Sequence, residues 1–305
     1  MIRRPPRSTQ GVSSAASDVY KRQTLVTGAN SGLGRATALL LAQKGHKVYA
    51  GMRDLDKGSK LLDLAKDYNL SAIEIDVTDN NSVVACAAEI NENGDSVDVL
   101  VNNAGVALNS VTEDIDVAKG KEVMDVNVWG PVRCVKAFVP GMRERGTGHV
   151  FQVSSVAGLI GHIGQTVYVG SKFALEGMSE ALAQELIGFG IRVHIVEPGV
   201  TRTAILPKNE GNPVPTAYQD HYDRMFQFYS AGIAASVQAD SFAETIYEAL
   251  TTSEYRLRYV CGWGGEEIGQ KHKTMSDEDF VGLGSLVSSA EEYGQAFFDL
   301  FGLDI

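Results

Sequence analysis

A tyrosine and a lysine stand four residues apart in the segment TVYVGSK, at Tyr168 and Lys172, directly before the apolar stretch FALEGMSEALAQELIGFG. On a helix, positions i and i+4 share one face, so this spacing holds a phenol beside an ammonium. A free phenol, with a pKa of about 10, exchanges protons poorly at neutral pH. A nearby ammonium favours the phenolate, which predicts a Tyr168 pKa lowered towards the range of a working general acid or base. The bland alternative is a surface pair that supports a helix by a few tenths of a kcal/mol. With eleven tyrosines in the chain, chance can supply such a pair, so the surrounding sequence has to decide.

From Thr24 onward, short β-rich runs alternate with helical stretches, which predicts an α/β fold with a parallel sheet covered by helices on both faces. The strands read TLVT, HKVYAG, AIEID, VDVLVN, HVFQVS, RVHIVE and RLRYVC. Leu33, Ala36, Thr37, Leu40 and Leu41 mark the apolar face of the first helix, which Gly45 ends. Ser241 and Glu244 are spaced as a capping box for SFAETIYEAL. Residues 204–236 break the rhythm, with Pro207, Pro213 and Pro215 followed by Tyr218, Tyr222, Phe226, Phe228 and Tyr229. They read as a lid of loop and short helices. With Leu206 and Met225, the aromatic group suits an apolar substrate, although aromatics at helical spacing more often pack on the body. The acidic extension 263–305 ends in AFFDLFGLDI, an amphipathic patch expected to dock on the domain or on a second subunit.

The 305-residue chain has a formal net charge of -11, although its first 23 residues carry Arg3, Arg4, Arg7, Lys21 and Arg22 against Asp18. The acidic body argues against nucleic acid or an anionic membrane as partner. Cys86, Cys134 and Cys261 are too scattered for a disulfide framework or a thiolate metal site, and the dispersed histidines imply no bound metal. A reducing, cytoplasmic setting fits, and no apolar run reaches the length of a membrane span. The segment 1–23, MIRRPPRSTQGVSSAASDVYKRQ, lacks the apolar core of a secretory signal. A transit peptide shares some of its composition. The abrupt start of the first strand at Thr24 favours a non-native leader, translated from sequencing-adapter read-through and expected to be loosely packed.

TGANSGLG, residues 27–34, lies between the first strand and the first helix, where a dinucleotide loop belongs. Gly28 permits the turn, Gly32 lets the backbone approach a pyrophosphate, and Gly34 lets the helix pack on the sheet, with Asn30, Ser31 and Leu33 completing the loop. The alternative is a tight structural turn. At the end of the second strand, KVYAGMRD places Met52 where an acid would hold a ribose 2′-hydroxyl, followed by Arg53. A guanidinium suits a 2′-phosphate, so NADP(H) is favoured over NAD(H). A surface pair of Arg53 with Asp54 is the competing reading.

Four more motifs follow in order: NNAG at 102–105, Asn127 within DVNVWG, SSVAG at 154–158 and PGVTRT at 198–203. Together with the glycine loop and the Tyr168–Lys172 pair, they resemble the short-chain dehydrogenase/reductase family, in its single-domain branch, over roughly residues 24–262. NVWGPVRCVKAF, YVGSKFALEGMSEAL and VEPGVTRTA look most like its 17β-hydroxysteroid and retinol dehydrogenases. The resemblance implies a single doubly wound Rossmann-type domain of about seven parallel strands. It implies an NAD(P)(H)-dependent oxidoreductase that interconverts an alcohol and a ketone or aldehyde, here a reductase of an apolar carbonyl, with Asn127, Ser155, Tyr168 and Lys172 catalytic.

Ser155 ends a strand and can hydrogen-bond the substrate oxygen as charge develops. Adjacent strand residues face opposite ways, so only one of Ser154 and Ser155 can serve, and the family spacing selects Ser155. By the same resemblance Lys172 also binds the nicotinamide ribose, and Asn127 holds a water linking Lys172 to solvent. Asn127 as a plain helix-interior asparagine is the alternative. Asp76, with Val77, accepts from the adenine amino group, unless it serves as an acidic neighbour for the following helix. Asn103, Ala104 and Gly105 line the adenosine ribose, Pro198, Gly199 and Val200 turn the chain at the cofactor, and Thr203 reaches the nicotinamide carboxamide. Helices over 124–138, bent at Pro131, and 168–190 are the surfaces that such proteins use to form a homodimer or homotetramer. A non-catalytic NADP(H)-binding sensor or assembly subunit is the second reading, against which the intact Asn127, Ser155, Tyr168 and Lys172 set speaks.

Overall fold

The computed structural model describes residues 21–201, 216–285 and 289–305. Residues 1–20 of the expected leader, Leu206, the three lid prolines and Thr203 therefore lie outside the described residues. Strands β1 (Gln23–Thr27), β2 (Lys47–Met52), β3 (Leu70–Glu74), β4 (Val99–Asn102), β5 (Gly148–Val153), β6 (Ile191–Pro198) and β7 (Arg258–Cys261) form one sheet. All pairs are parallel, in the order β3-β2-β1-β4-β5-β6-β7. The helices are α1 (Gly32–Gln43), α2 (Ser59–Leu64), α3 (Asn80–Glu92), α4 (Val117–Met124), α5 (Gly130–Arg145) and α6 (Thr166–Leu186). They continue as α7 (Gln219–Ala234), α8 (Ala239–Thr251), α9 (Gly265–His272), α10 (Asp277–Ser285) and α11 (Ala290–Phe301).

Successive strand residues feed opposite faces of the sheet. Val26, Val99 and Phe151 pack under Leu41 of α1 and Phe242 and Ile246 of α8. Leu25, Leu100 and Val150 pack against Ile90 of α3, Phe138 and Met142 of α5 and Leu186 of α6. A doubly wound sheet is the result, and its central strands read as continuous apolar runs because both faces are covered.

Several boundaries differ from expectation. Arg22 and Gln23, assigned to the leader, belong to the fold: Arg22 donates to the Leu250 carbonyl at 3.0 Å, and the Gln23 amide to Asp98 Oδ2 at 3.0 Å. β3 begins at Leu70 and stops before Ile75, because its pairing with β2 runs from Val48–Leu70 to Met52–Glu74. As an edge strand it exposes Ser71 and Glu74, which blurs its apolar pattern. α8 begins at Ala239, so Ser241 sits in its first turn and donates back to the Gln238 carbonyl at 2.9 Å, with no capping box. A capping box forms instead at Ser289 and Glu292 of α11. Pro131 is the second residue of α5, directly after a π-helical turn over Asp125–Trp129 that absorbs the missing donor.

The described part of the lid is a short 3-10 helix, Thr216–Tyr218, followed by the long helix α7. Its Tyr222 and Met225 pack on Val111, and Phe228 packs into a cluster with Ile268, Phe297, Phe301 and Leu303 of the extension. The amphipathic α11 thus docks on α7 and α9 of the same chain. Among the described residues, no helix is long and apolar enough to cross a membrane.

Candidate active site

The strand order reverses between β1 and β4, and a cleft of about 720 Å³ opens there, at the C-terminal ends of the strands. The glycine loop forms one end. Gly28 and Gly32 adopt φ of +67° and +53°, a left-handed backbone that glycine reaches without strain. A Cβ on Gly28 would stand 2.9 Å from Ala104 Cα, and one on Gly34 would stand 2.5 Å from the Gly28 carbonyl oxygen. Ser31 caps α1 without a side-chain bond, and no acid occupies the first turn, so the helix amides and positive dipole end are offered to the cleft. This cradle fits the pyrophosphate of a dinucleotide. Gly28, Asn30, Ser31, Gly32 and Leu33 line the cleft, whereas Gly34 packs beneath it.

Asn103 braces that loop. Its Nδ2 donates to the Thr27 carbonyl at 2.8 Å, and Thr27 Oγ1 accepts from the Asn103 and Ala104 amides, both at 3.0 Å. Asn103, Ala104 and Gly105 all line the cleft. Arg53 stands exposed on its rim with no ion-pair partner among the described residues, because Asp54 pairs with Lys57 at 3.2 Å. Asp76 Oδ1 accepts from the Thr78 amide and hydroxyl at 2.9 and 2.7 Å, and Asp79, not Asp76, caps α3. Asp76 and Val77 reach the cleft, as do Pro198, Gly199 and Val200 where β6 ends.

Tyr168, Lys172 and Ser155 converge on the opposite side of the cleft. Ser155 Oγ accepts from the Ala157 amide at 3.1 Å and donates to the Pro198 carbonyl at a long 3.4 Å. Ser154 turns towards Glu176, whose carboxyl pKa is raised by burial against the opposing effects of the Ser154 hydroxyl and the Arg258 guanidinium. Lys172 Nζ donates to the Val153 carbonyl at 2.8 Å and lies 5.7 Å from the Tyr168 ring centroid. The expected lowering of the phenol pKa is not observed: burial raises it, against the opposing effect of the Ser155 hydroxyl. Burial also pushes Lys172 down to about 8, with Glu176 opposing. Desolvation of both groups outweighs their attraction at this separation.

Asn127 does not line the cleft. It is buried in the π turn, where Oδ1 accepts from the Val106 amide at 2.9 Å and Nδ2 donates to the Val106 carbonyl and to Ser171 Oγ, at 2.8 and 3.0 Å. Its side chain pins the segment after NNAG to α6. In a regular helix the amide of residue 131 would bond the Asn127 carbonyl, and Pro131 has no N–H.

The sequence reading missed several residues that line the cleft or stand beside it. His162 lines the cleft, with its ring 4.6 Å from that of Phe228 and its pKa lowered by burial. Gln165 donates to Asn109 Oδ1 at 2.8 Å, and Tyr229 stands near Tyr168, its own pKa raised by burial. Ile268 enters from the extension. His162 and Gln165 lie between Ser155 and Tyr168, on the connection that leaves the C-terminal edge of β5, and that position was the available signal.

The family model described as short chain dehydrogenase matches residues 22–213. Human 17-beta-hydroxysteroid dehydrogenase type 1 is 36% identical over 251 residues, covering 77% of this chain and 76% of that protein. The crystal structure of a short-chain dehydrogenase from Streptomyces avermitilis superposes with a TM-score of 0.76 at 33% identity, covering 85% of this chain and 94% of the other. A short-chain dehydrogenase/reductase from Burkholderia phymatum in complex with NAD gives a TM-score of 0.68 at 26% identity, covering 78% and 88%.

Proposed function

The chain belongs to the short-chain dehydrogenase family and is an oxidoreductase acting on CH–OH groups, and from that premise we propose an NADPH-dependent reductase of apolar ketones or aldehydes. The observation that carries this reading is the convergence of the Tyr168 and Ser155 hydroxyls and the Lys172 ammonium on one cleft with the glycine cradle. The cofactor supplies the hydride for reduction and accepts it for oxidation. In reduction, Tyr168 gives its proton to the substrate oxygen as the carbonyl carbon becomes tetrahedral, and in oxidation it takes the proton back. The Ser155 hydroxyl, weakly held by the Pro198 carbonyl, turns to donate to the same oxygen. Lys172 places positive charge beside the phenol, and Asn127 fixes the wall on which they act.

Arg53, with no acidic partner among the described residues, supports NADP(H) over NAD(H). Asp76 is assigned to the adenine amino group and Thr203 to the carboxamide. Residues 22–262 form the catalytic unit, two residues longer at its start than the sequence suggested, and Ile268 of the extension 263–305 completes one wall. The apolar character of Phe228, Ile160 and Ile268 supports an apolar substrate. A homodimer or homotetramer through α5 and α6, in a cytoplasmic setting, completes the reading. NADPH oxidation by the full-length protein, across ketones, aldehydes and steroids, tests it. Turnover is expected. NADPH binding with no turnover of any carbonyl would refute the reductase and favour a sensor.

A further inference from the structure

The face of α6 that carries Tyr168 and Lys172 does not end with them. Tyr168, Lys172, Glu176 and Glu180 follow at successive i+4 positions, so each stands about 6 Å further along the helix. Lys172 has a phenol one turn before it and a carboxylate one turn after it. Glu176 is only 6% exposed. Its Oε2 accepts from Arg258 of β7, at 3.1 Å from one terminal nitrogen and 3.3 Å from Nε. The same guanidinium reaches Glu180 at 2.6 Å and Glu197 of β6 at 3.1 Å.

These acids differ in surroundings. Glu180 is a surface residue, its side chain 51% exposed. Glu197 is fully buried, and neither of its oxygens makes a hydrogen bond among the described residues. Gly158 of SSVAG is what admits Glu176: a Cβ there would stand 2.6 Å from Ser154 Oγ and 3.0 Å from Glu176 Cγ. A buried carboxylate is retained at a cost unless a charge answers it. Here two buried carboxylates share Arg258: burial raises both, Glu176 against Ser154 and Arg258, and Glu197, with Glu176 adding to its burial, up to about 7 against Arg258 and Lys273. Cys261, the other titratable group beside Glu197, stays a thiol, its pKa raised to about 11. On the Lys172 side the facing groups are Tyr168, the Val153 carbonyl and Glu176, of which Glu176 supports the ammonium against burial.

We propose that Glu176 is a positioning residue that acts through Lys172, its buried carboxylate holding the lysine charged beside Tyr168 while Arg258, itself paired with Glu197, fixes that carboxylate in place. The inference rests on the roles assigned to Tyr168 and Lys172 above. It gives the ALEG segment that follows the Tyr-x-x-x-Lys motif a part in the chemistry as well as in packing. Loss of the carboxylate charge lets Lys172 lose its proton at lower pH, and the phenol then works without a neighbouring cation.

Glu176→Gln removes the charge and keeps the shape. In the full-length protein, the alkaline limb of kcat/KM for carbonyl reduction is expected to move about one pH unit towards acid. Glu176→Asp draws the charge back by one methylene and is expected to move the limb a few tenths in the same direction; it also serves if Glu176→Gln does not fold. Glu180→Gln removes the outer partner of Arg258 and should leave the limb in place. A loss of kcat that is uniform across pH, with the limb unmoved, overturns the proposal. NMR titration of Lys172 Cε in protein labelled with 13C-lysine, assigned with Lys172→Met, reads the same charge without turnover. A lower midpoint in the Glu176 variants supports the proposal, and a midpoint equal to the parent's overturns it. A parent protein that turns over no carbonyl would defeat the reductase reading, while the lysine titration would still decide this one.

Discussion

Lys172 and Tyr168 share a face of α6 without touching: the ammonium donates to the Val153 carbonyl at 2.8 Å and stays 5.7 Å from the centre of the phenol ring. The phenol therefore remains protonated across neutral pH, which is the form that an acid needs for carbonyl reduction. Removing its hydroxyl in Tyr168→Phe should lower kcat by roughly 10²- to 10⁴-fold with NADPH binding, read by fluorescence titration, nearly unchanged. Ser155→Ala should cost roughly 10²- to 10³-fold. A Tyr168→Phe protein that kept most of its kcat would remove the phenol from the chemistry.

Arg53 is a cation on the cleft rim with no ion-pair partner among the described residues, since the adjacent Asp54 pairs with Lys57. A charged hydrogen bond to a 2′-phosphate contributes about 1.5–3 kcal/mol, so Arg53→Asp should raise KM for NADPH by roughly 10- to 100-fold. The value for NADH should stay flat or fall. Equal KM for NADPH in parent and variant would end the argument for NADP(H).

How far the sequence reaches is clear from particular residues. The seven strands could be read because a sheet covered on both faces demands runs such as VLVN and VHIVE, and the glycine loop because its backbone needs are local. β3 slipped by two residues because an edge strand with exposed Ser71 and Glu74 has little pattern to fix it. The sign of the Tyr168 shift could not be read, since it depends on burial by elements remote in the chain. Neither could the partners of Asn103 and Asn127, which join segments far apart in sequence. Glu176 and Glu197 give no signal in the sequence, because Arg258, which gathers them, stands on another strand.

A buried histidine pair gives the protein a pH signature. His149 Nδ1 and His194 Nε2 are 3.1 Å apart between β5 and β6, and burial pushes the two rings down to about 3 and about 4. In the unfolded chain each would titrate near about 6.5. Below that pH the unfolded state takes up protons that the folded state refuses, so stability falls as pH drops from about 6.5 towards 4. His194→Phe keeps a ring stacked on Phe151, now 4.4 Å away, and removes one of the two sites. Its urea midpoint should decline less steeply over that interval than the parent's, and parallel declines would clear the pair of this role.

The extension supports the substrate wall from behind. Phe297 of α11 is buried, 5.7 Å from the ring of Phe228 and 4.5 Å from that of Phe301. Phe297→Ala should cost about 3–5 kcal/mol in urea unfolding, as large-to-small changes in a packed cluster do. Because Phe228 and Ile268 line the cleft, KM for the carbonyl should rise more than KM for NADPH. A shift confined to NADPH would place the extension's influence elsewhere.

Around α5 and α6 the single chain leaves large apolar side chains in solvent: Trp129 just before α5, Phe173 on α6, and Ile187 and Phe189 in the turn that follows α6. Trp129 is 54% exposed, Phe173 44%, Ile187 50% and Phe189 48%. Burying one such side chain contributes about 1.5–3 kcal/mol, so a matching apolar face of a second copy would gain from covering them. Phe173→Glu puts a charge into that contact and should convert the assembly to monomer in light scattering at micromolar concentration. Phe173 does not line the cleft, so any fall in kcat on dissociation would measure what assembly contributes to holding α6, and with it Tyr168 and Lys172, in place. A parent protein that is itself monomeric at that concentration would leave these side chains as exposed surface and refute the assembly.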